Sequence, residues 1–184
     1  KRGYDMAIIY NPNKRIFTLH TKHSTYQMQV DSLGYLLHLY YGAKNNSSME
    51  YVLTYADRGF SGNPYAAGAD RTYSLDALPQ EFPTLGTGDY RNIALDIKNS
   101  RGIESTNLLY KKHEIRKGKY ALPGLPAVWA DEAEAQTLEI VLADENAGME
   151  VHLLYGVLEE VDVITRSAVM RNIGTETVTI EKAA

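Results

Sequence analysis

Thr137-Leu138-Glu139-Ile140-Val141-Leu142, then Met149-Glu150-Val151-His152-Leu153-Leu154-Tyr155, then Val163-Ile164-Thr165-Arg166-Ser167-Ala168-Val169-Met170: three apolar-rich runs follow one another with only turn residues between them. Asn146-Ala147-Gly148 separates the first two, and Asn172-Ile173-Gly174 closes the third. Runs of this length, rich in Val, Ile, Leu and Thr and bounded by Gly and Asn, read as strands. No helix-length segment intervenes, so neighbouring strands must run antiparallel. The same signature lies nearer the N-terminus. Ser24-Thr25-Tyr26-Gln27-Met28-Gln29-Val30 puts Tyr26, Met28 and Val30 on one face. The turn residues Asp31-Ser32-Leu33-Gly34 then lead into Tyr35-Leu36-Leu37-His38-Leu39-Tyr40-Tyr41, giving a hairpin. The expected fold is all-β: a large antiparallel β-sandwich with one long ordered loop region.

That loop region is residues 44–93. It holds Asn45-Asn46-Ser47-Ser48, Gly59, Gly62-Asn63-Pro64, Gly68, Pro79, Pro83, Gly86 and Gly88. A long irregular stretch inside a sheet protein is functional or disordered. This one carries Tyr51, Tyr55, Phe60, Tyr65, Tyr73, Phe82 and Tyr90, too many aromatic rings for simple disorder. It is therefore expected to be ordered and packed on the rest of the protein. Asp131-Glu132-Ala133-Glu134-Ala135-Gln136 is expected to be an exposed loop before a strand.

The totals exclude several classes. With 184 residues the chain suffices for one domain with a real core. A net charge of −4, with its 19 Lys and Arg scattered, argues against nucleic acid as a partner. Cysteine is absent, which removes disulfides and thiolate chemistry and is compatible with a cytoplasmic location. No apolar run is long enough to span a bilayer, so no membrane partner is expected. Met6 is expected to be the natural start, with residues 1–5 an addition ahead of it; a cut inside a longer protein is the alternative. Thr177, Thr179 and Glu181 alternate with Val178 and Ile180, a half-buried strand near the chain's end. The expectation drawn from it is a domain of residues 6–184, truncated before the remainder of a longer protein.

Catalytic and metal signatures are weak. His20 and His23 do not converge at strand or turn spacing, and His38, His113 and His152 are isolated, so no metal site is expected. Asp144, Asn146 and Gly148 resemble the start of a calcium loop, but Tyr155 stands where the closing Glu belongs. Ser61 has no G-x-S-x-G setting, and Gly86-Thr87-Gly88 lacks the third glycine of a dinucleotide loop. No cofactor is expected. Trp129, the sole tryptophan, is expected in core or domain-interface packing. More suggestive are Asp57-Arg58 and Asp70-Arg71, flanked by aromatic residues and followed by Glu81, Asp89 and Arg91. Carboxylates accept hydrogen bonds from vicinal hydroxyls, Arg donates in a fixed fork, and aromatic faces stack on sugar rings. The same pairs could equally staple the loop.

Taken in order, a series of stretches resembles the N-terminal domain of bacterial α-galactosidases of glycoside hydrolase family 36. They are Ile9-Tyr10-Asn11-Pro12, Gly34-Tyr35-Leu36-Leu37-His38-Leu39-Tyr40-Tyr41-Gly42, Asp57-Arg58-Gly59-Phe60-Ser61-Gly62-Asn63-Pro64 and Asp70-Arg71-Thr72-Tyr73-Ser74-Leu75-Asp76. Gln80-Glu81-Phe82-Pro83, Gly88-Asp89-Tyr90-Arg91, Gly124-Leu125-Pro126-Ala127, Thr137–Leu142 and Val163–Ser167 follow. The resemblance implies a β-supersandwich ahead of a catalytic (β/α)8 barrel. The catalytic carboxylates would then lie in the barrel, and none in this chain. It implies a retaining exo-α-galactosidase acting on raffinose-type oligosaccharides. It further implies assembly as a homo-oligomer, a tetramer, with loops of this domain closing the mouth of an active site. On that reading Asp57 is a substrate-binding carboxylate and Arg71 its companion. A stand-alone carbohydrate-binding module and a pure scaffold domain are the alternatives.

Overall fold

The computed structural model describes residues 7–57, 70–86 and 92–184. Among the described residues ten strands form three sheets. The first sheet is β1 (Ile8–Asn11), β2 (Ile16–His20), β3 (Ser24–Val30) and β4 (Leu36–Ala43), in chain order. The second four-stranded sheet is β6 (Leu109–Lys117), β7 (Gln136–Asp144), β8 (Met149–Leu158) and β9 (Val163–Asn172), also in chain order. Between them in sequence lies β5 (Leu95–Asn99), which pairs with β10 (Val178–Ala183). Every strand pairing is antiparallel, so the fold is the expected all-β sandwich.

Period-two alternation explains the core. On β7, Leu138, Ile140 and Leu142 point inward, opposite Tyr155, Leu153 and Val151 of β8. They meet Phe17 and Leu19 of β2, Met28 and Val30 of β3, and Leu95 and Ile97 of β5 in one cluster. Fully burying one such side chain stabilises by roughly 1.5–3 kcal/mol. The register holds because the turns hold. Gly148 turns β7 into β8 at φ 65°, and a Cβ there would sit 2.9 Å from the Cα of Gly174. Only glycine fits both demands.

The long irregular segment is ordered where it is described, and it covers the outer face of the first sheet. Tyr73, Leu75 and Leu78 pack against Tyr35 and Leu37. Met49 packs against Ile16 and Leu39. Gln27 looks outward from β3 yet is buried, because its amide donates to the Ser47 carbonyl and accepts from the Met49 amide. A polar side chain is tolerated there because both ends of its amide are satisfied. Leu39 is the additional residue of β4 where the register against β3 shifts. Residues 131–135 form the expected exposed turn before β7, stabilised by an Asp131 amide to Glu134 carboxylate bond, with only Ala135 buried.

Two expectations change. Trp129 is 79% exposed, which removes core packing and leaves its domain-interface alternative untouched. The strand at 178–183 exists, but only Val178 is part-buried and Ile180 is half exposed, so it is a surface strand on β5 rather than a half-buried one.

Candidate functional site

Asp57 and Arg71, 14 positions apart within the irregular segment, come together. The Arg71 Nη2 lies 3.3 Å from the Asp57 Oδ1. The Arg71 and Asp57 side chains are 62% and 56% exposed. A chain of contacts places Arg71 there. In the β3–β4 turn, Asp31 Oδ1 accepts the amides of Leu33 and Tyr35 at 2.9 Å each. Its Oδ2 accepts the buried Tyr73 hydroxyl at 2.6 Å. Burial, then the bond to Asp31, pushes the Tyr73 phenol far above its ordinary range, so it remains a donor. Three residues before Tyr73, Asp70 Oδ1 takes the Thr72 amide at 2.9 Å and the Thr72 hydroxyl at 2.7 Å, which tightens the turn that presents Arg71. These bonds also lower the Asp70 pKa. Tyr55 stacks beside Tyr73 with ring centroids 6.3 Å apart and remains half exposed. The result is an exposed carboxylate, guanidinium and aromatic ring on a pinned turn. That set can bind a polyol by hydrogen bonding and stacking. It supplies no pair of carboxylates facing each other across a scissile bond.

Glu81, read from sequence as part of the same charged group, belongs elsewhere. Its carboxylate is buried between the two large sheets, at 1% exposure. Tyr26 of β3 donates to both oxygens at 2.7 and 2.8 Å, and Tyr155 of β8 donates to Oε1 at 2.8 Å. His38 Nδ1 lies 3.1 Å from Oε2. Arg166 of β9 lies 3.3 Å from Oε1 and donates to the Glu81 carbonyl at 2.6 Å. Burial and the nearby carboxylate push both phenols up, so they stay neutral donors. Glu81 is a clasp between sheets. Arg166 was not singled out as a site residue; an arginine on the inward register of an apolar strand, opposite Tyr155, is the signal that could have found it.

The histidines do not assemble. His20 bonds Thr25, His23 bonds Asp162, and His152 lies between Glu139 and Glu150. Asp144 caps its own turn through the Asn146 and Ala147 amides and takes the Asn107 amide as well. Among the described residues no group of three or more His, Asp or Glu side chains could hold a metal ion, and no helix is long and apolar enough to cross a membrane. Arg58 to Pro64, Tyr65, Gly68, Thr87, Gly88 and Asp89 to Arg91 lie outside the described residues, so the first Asp-Arg dipeptide is described only at Asp57.

Residues 34–184 match the model of the glycosyl hydrolase family 36 N-terminal domain. The chain belongs to this family. The bifunctional alpha-galactosidase/sucrose kinase AgaSK of Mediterraneibacter gnavus is 81% identical over 179 residues, covering 97% of this chain and 19% of that protein. The solved galactosidase domain of AgaSK superposes with a TM-score of 0.93 over 97% of this chain and 25% of its own. A variant of the family 36 alpha-galactosidase AgaA from Geobacillus stearothermophilus, solved in complex with raffinose, matches at 42% identity and a TM-score of 0.85, covering 91% of this chain and 23% of its own. The family 36 N-terminal domain described here thus spans about a fifth to a quarter of the proteins it matches.

Proposed function

We propose that this domain serves, without catalytic groups of its own, in an exo-α-galactosidase that removes terminal α-galactosyl residues from raffinose-type oligosaccharides. The observation that carries the reading is the exposed Asp57–Arg71 pair beside Tyr55, on a domain of a family whose longer members are named alpha-galactosidases. Asp57 accepts hydrogen bonds from sugar hydroxyls, and Arg71 holds the carboxylate in place and donates to the same sugar. Both act at the mouth of an active site whose catalytic carboxylates lie in the remainder of the protein. Assembly of the whole enzyme as a tetramer brings the turn to that mouth. The raffinose complex of AgaA supports the substrate class.

The test is Asp57→Ala in the complete enzyme, assayed with raffinose and with a chromogenic α-galactoside. Losing a charge-assisted hydrogen bond costs about 1.5–3 kcal/mol, so kcat/KM should fall roughly ten- to a hundredfold. An unchanged kcat/KM would make the domain a scaffold. Galactoside affinity in residues 1–184 by themselves, abolished by the same substitution, would make it a stand-alone binding module.

A further inference from the structure

The Asp57–Arg71 contact has a companion in matching register. Asp57 meets Arg71; two residues back on the first segment and two residues on along the second, Tyr55 meets Tyr73. Residues 53–57 hold no turn or helix, and Leu53 is extended. Side chains two apart on an extended segment leave the same side. Tyr55 and Asp57 therefore stand side by side, about 7 Å apart along the chain, a step comparable to one sugar residue.

The two tyrosines have different duties. Tyr73 is 4% exposed, with its hydroxyl on Asp31 and its ring packed with Tyr35, Leu37, Leu75 and Leu78. Its ring is out of reach of a ligand. Tyr55 is 49% exposed and rests on Tyr73 with the ring planes 29° apart. A tyrosine has only two side-chain torsions, and one backed by a fixed ring loses little further freedom on binding. Tyr55 thus offers a pre-positioned aromatic surface next to the charged pair.

We infer that Tyr55 determines specificity for the sugar joined to the galactosyl residue, stacking on that leaving sugar while Asp57 and Arg71 hold the galactosyl hydroxyls. The chemistry of the two neighbours assigns the sugars. A carboxylate and a guanidinium read the placement of hydroxyls, which is what distinguishes a galactosyl residue from other hexoses. An aromatic ring reads an apolar face. The glucopyranose ring of raffinose carries its ring hydroxyls equatorially, so its axial C–H bonds make such a face on either side. The axial hydroxyl of galactose interrupts one of its faces. The inference rests on the reading above that Asp57 binds substrate in a longer enzyme.

The test uses the complete enzyme and compares raffinose with methyl α-galactoside, which shares the galactosyl residue and lacks the second sugar. Tyr55→Ala should lower the ratio of kcat/KM for raffinose to that for methyl α-galactoside roughly three- to tenfold. Tyr55→Phe keeps the ring and should hold the ratio within about twofold of wild type. Tyr55→Leu still covers Tyr73 but presents no aromatic face, so it should match Tyr55→Ala and keeps the test decisive if the alanine variant folds poorly. A wild-type ratio in Tyr55→Leu, or a ratio in Tyr55→Phe as low as in Tyr55→Leu, would overturn the inference. Asp57→Ala, measured alongside, should lower kcat/KM for both substrates together. Loss there with an unmoved ratio in Tyr55→Leu sinks only the role of Tyr55, whereas no loss there sinks the reading beneath it.

Discussion

Two arginine–carboxylate pairs in this domain have the same separation and opposite meanings. Arg71 and Asp57 stand 3.3 Å apart, as do Arg166 and Glu81. In the first pair both side chains are more than half exposed. In the second the carboxylate is buried, and two tyrosine hydroxyls and a histidine ring share it. Distance therefore does not set what a pair is worth. Water screens the exposed pair, which holds little folding energy and remains available to a ligand. In the second pair Glu81 has given up its water while Arg166 stays 45% exposed, and the carboxylate's tolerance of burial lies in every partner remaining present.

Breaking the buried pair should give the largest effect. Glu81→Ala leaves the Tyr26 and Tyr155 hydroxyls without their acceptor between the sheets and Arg166 without its carboxylate. A loss of about 3–5 kcal/mol is expected, read as a lower urea midpoint with an unchanged slope. Glu81→Gln keeps an acceptor for the tyrosines and should fall between wild type and Glu81→Ala. If Glu81→Ala unfolded at the wild-type midpoint, the clasp would have no energetic content.

Breaking the exposed pair should reverse the pattern. Asp57→Ala should alter folding by less than about 0.5 kcal/mol, as surface substitutions do. Its cost of about 1.5–3 kcal/mol should appear in kcat/KM of the complete enzyme instead. Tyr73→Phe sharpens the contrast, since Tyr73 joins the exposed turn to the buried frame. Removing its hydroxyl takes a donor from Asp31, which retains the Leu33 and Tyr35 amides. Stability should drop by about 1.5 kcal/mol. kcat/KM should fall less than in Asp57→Ala, because Arg71 is loosened rather than lost. A kinetic defect equal to that of Asp57→Ala would mean that the turn's position, not the carboxylate, is what the enzyme uses.

The difference between the two pairs was not legible in the sequence, whereas most of the frame was. The β3–β4 hairpin and the β7-β8-β9 meander announce themselves by alternation and by Gly34 and Gly148 at their turns. β6 did not, because Leu109–Lys117 lies with charged residues on both faces and a bulge that breaks its period. β5 is five residues long and follows a stretch of turn residues, so its inward Leu95 and Ile97 gave too short a signal. Asp57 and Glu81 look alike in sequence, each a carboxylate among aromatic residues. Their depth depends on where the irregular segment lies over the first sheet, through contacts such as Gln27 with Ser47 and Tyr73 with Asp31. Those contacts join residues 20 to 42 positions apart. Pairing of Asp57 with Arg71 was expected only through the family resemblance; local pattern had paired each with its sequence neighbour.

The smallest expected effect comes from a third contact, with the His23 side chain 73% and the Asp162 side chain 35% exposed, and it tests the same rule. Asp162, in the left-handed turn before β9, accepts from the His23 ring, the His23 amide and the Thr21 hydroxyl. These bonds lower its pKa from an ordinary 3.8 to about 2, the ring contact first. A group whose pKa is lower in the folded state stabilises the fold above its unfolded pKa. That contribution fades as pH falls from about 4 towards 2. Asp162→Asn keeps an acceptor and tolerates the left-handed backbone, but it does not titrate. The melting temperature of the wild type should decline slightly more steeply than that of the variant across that window, and the gap should narrow in high salt. A slope difference as large as that produced by removing Glu81 would contradict the ranking, because an exposed pair would then be holding the fold as firmly as a buried one.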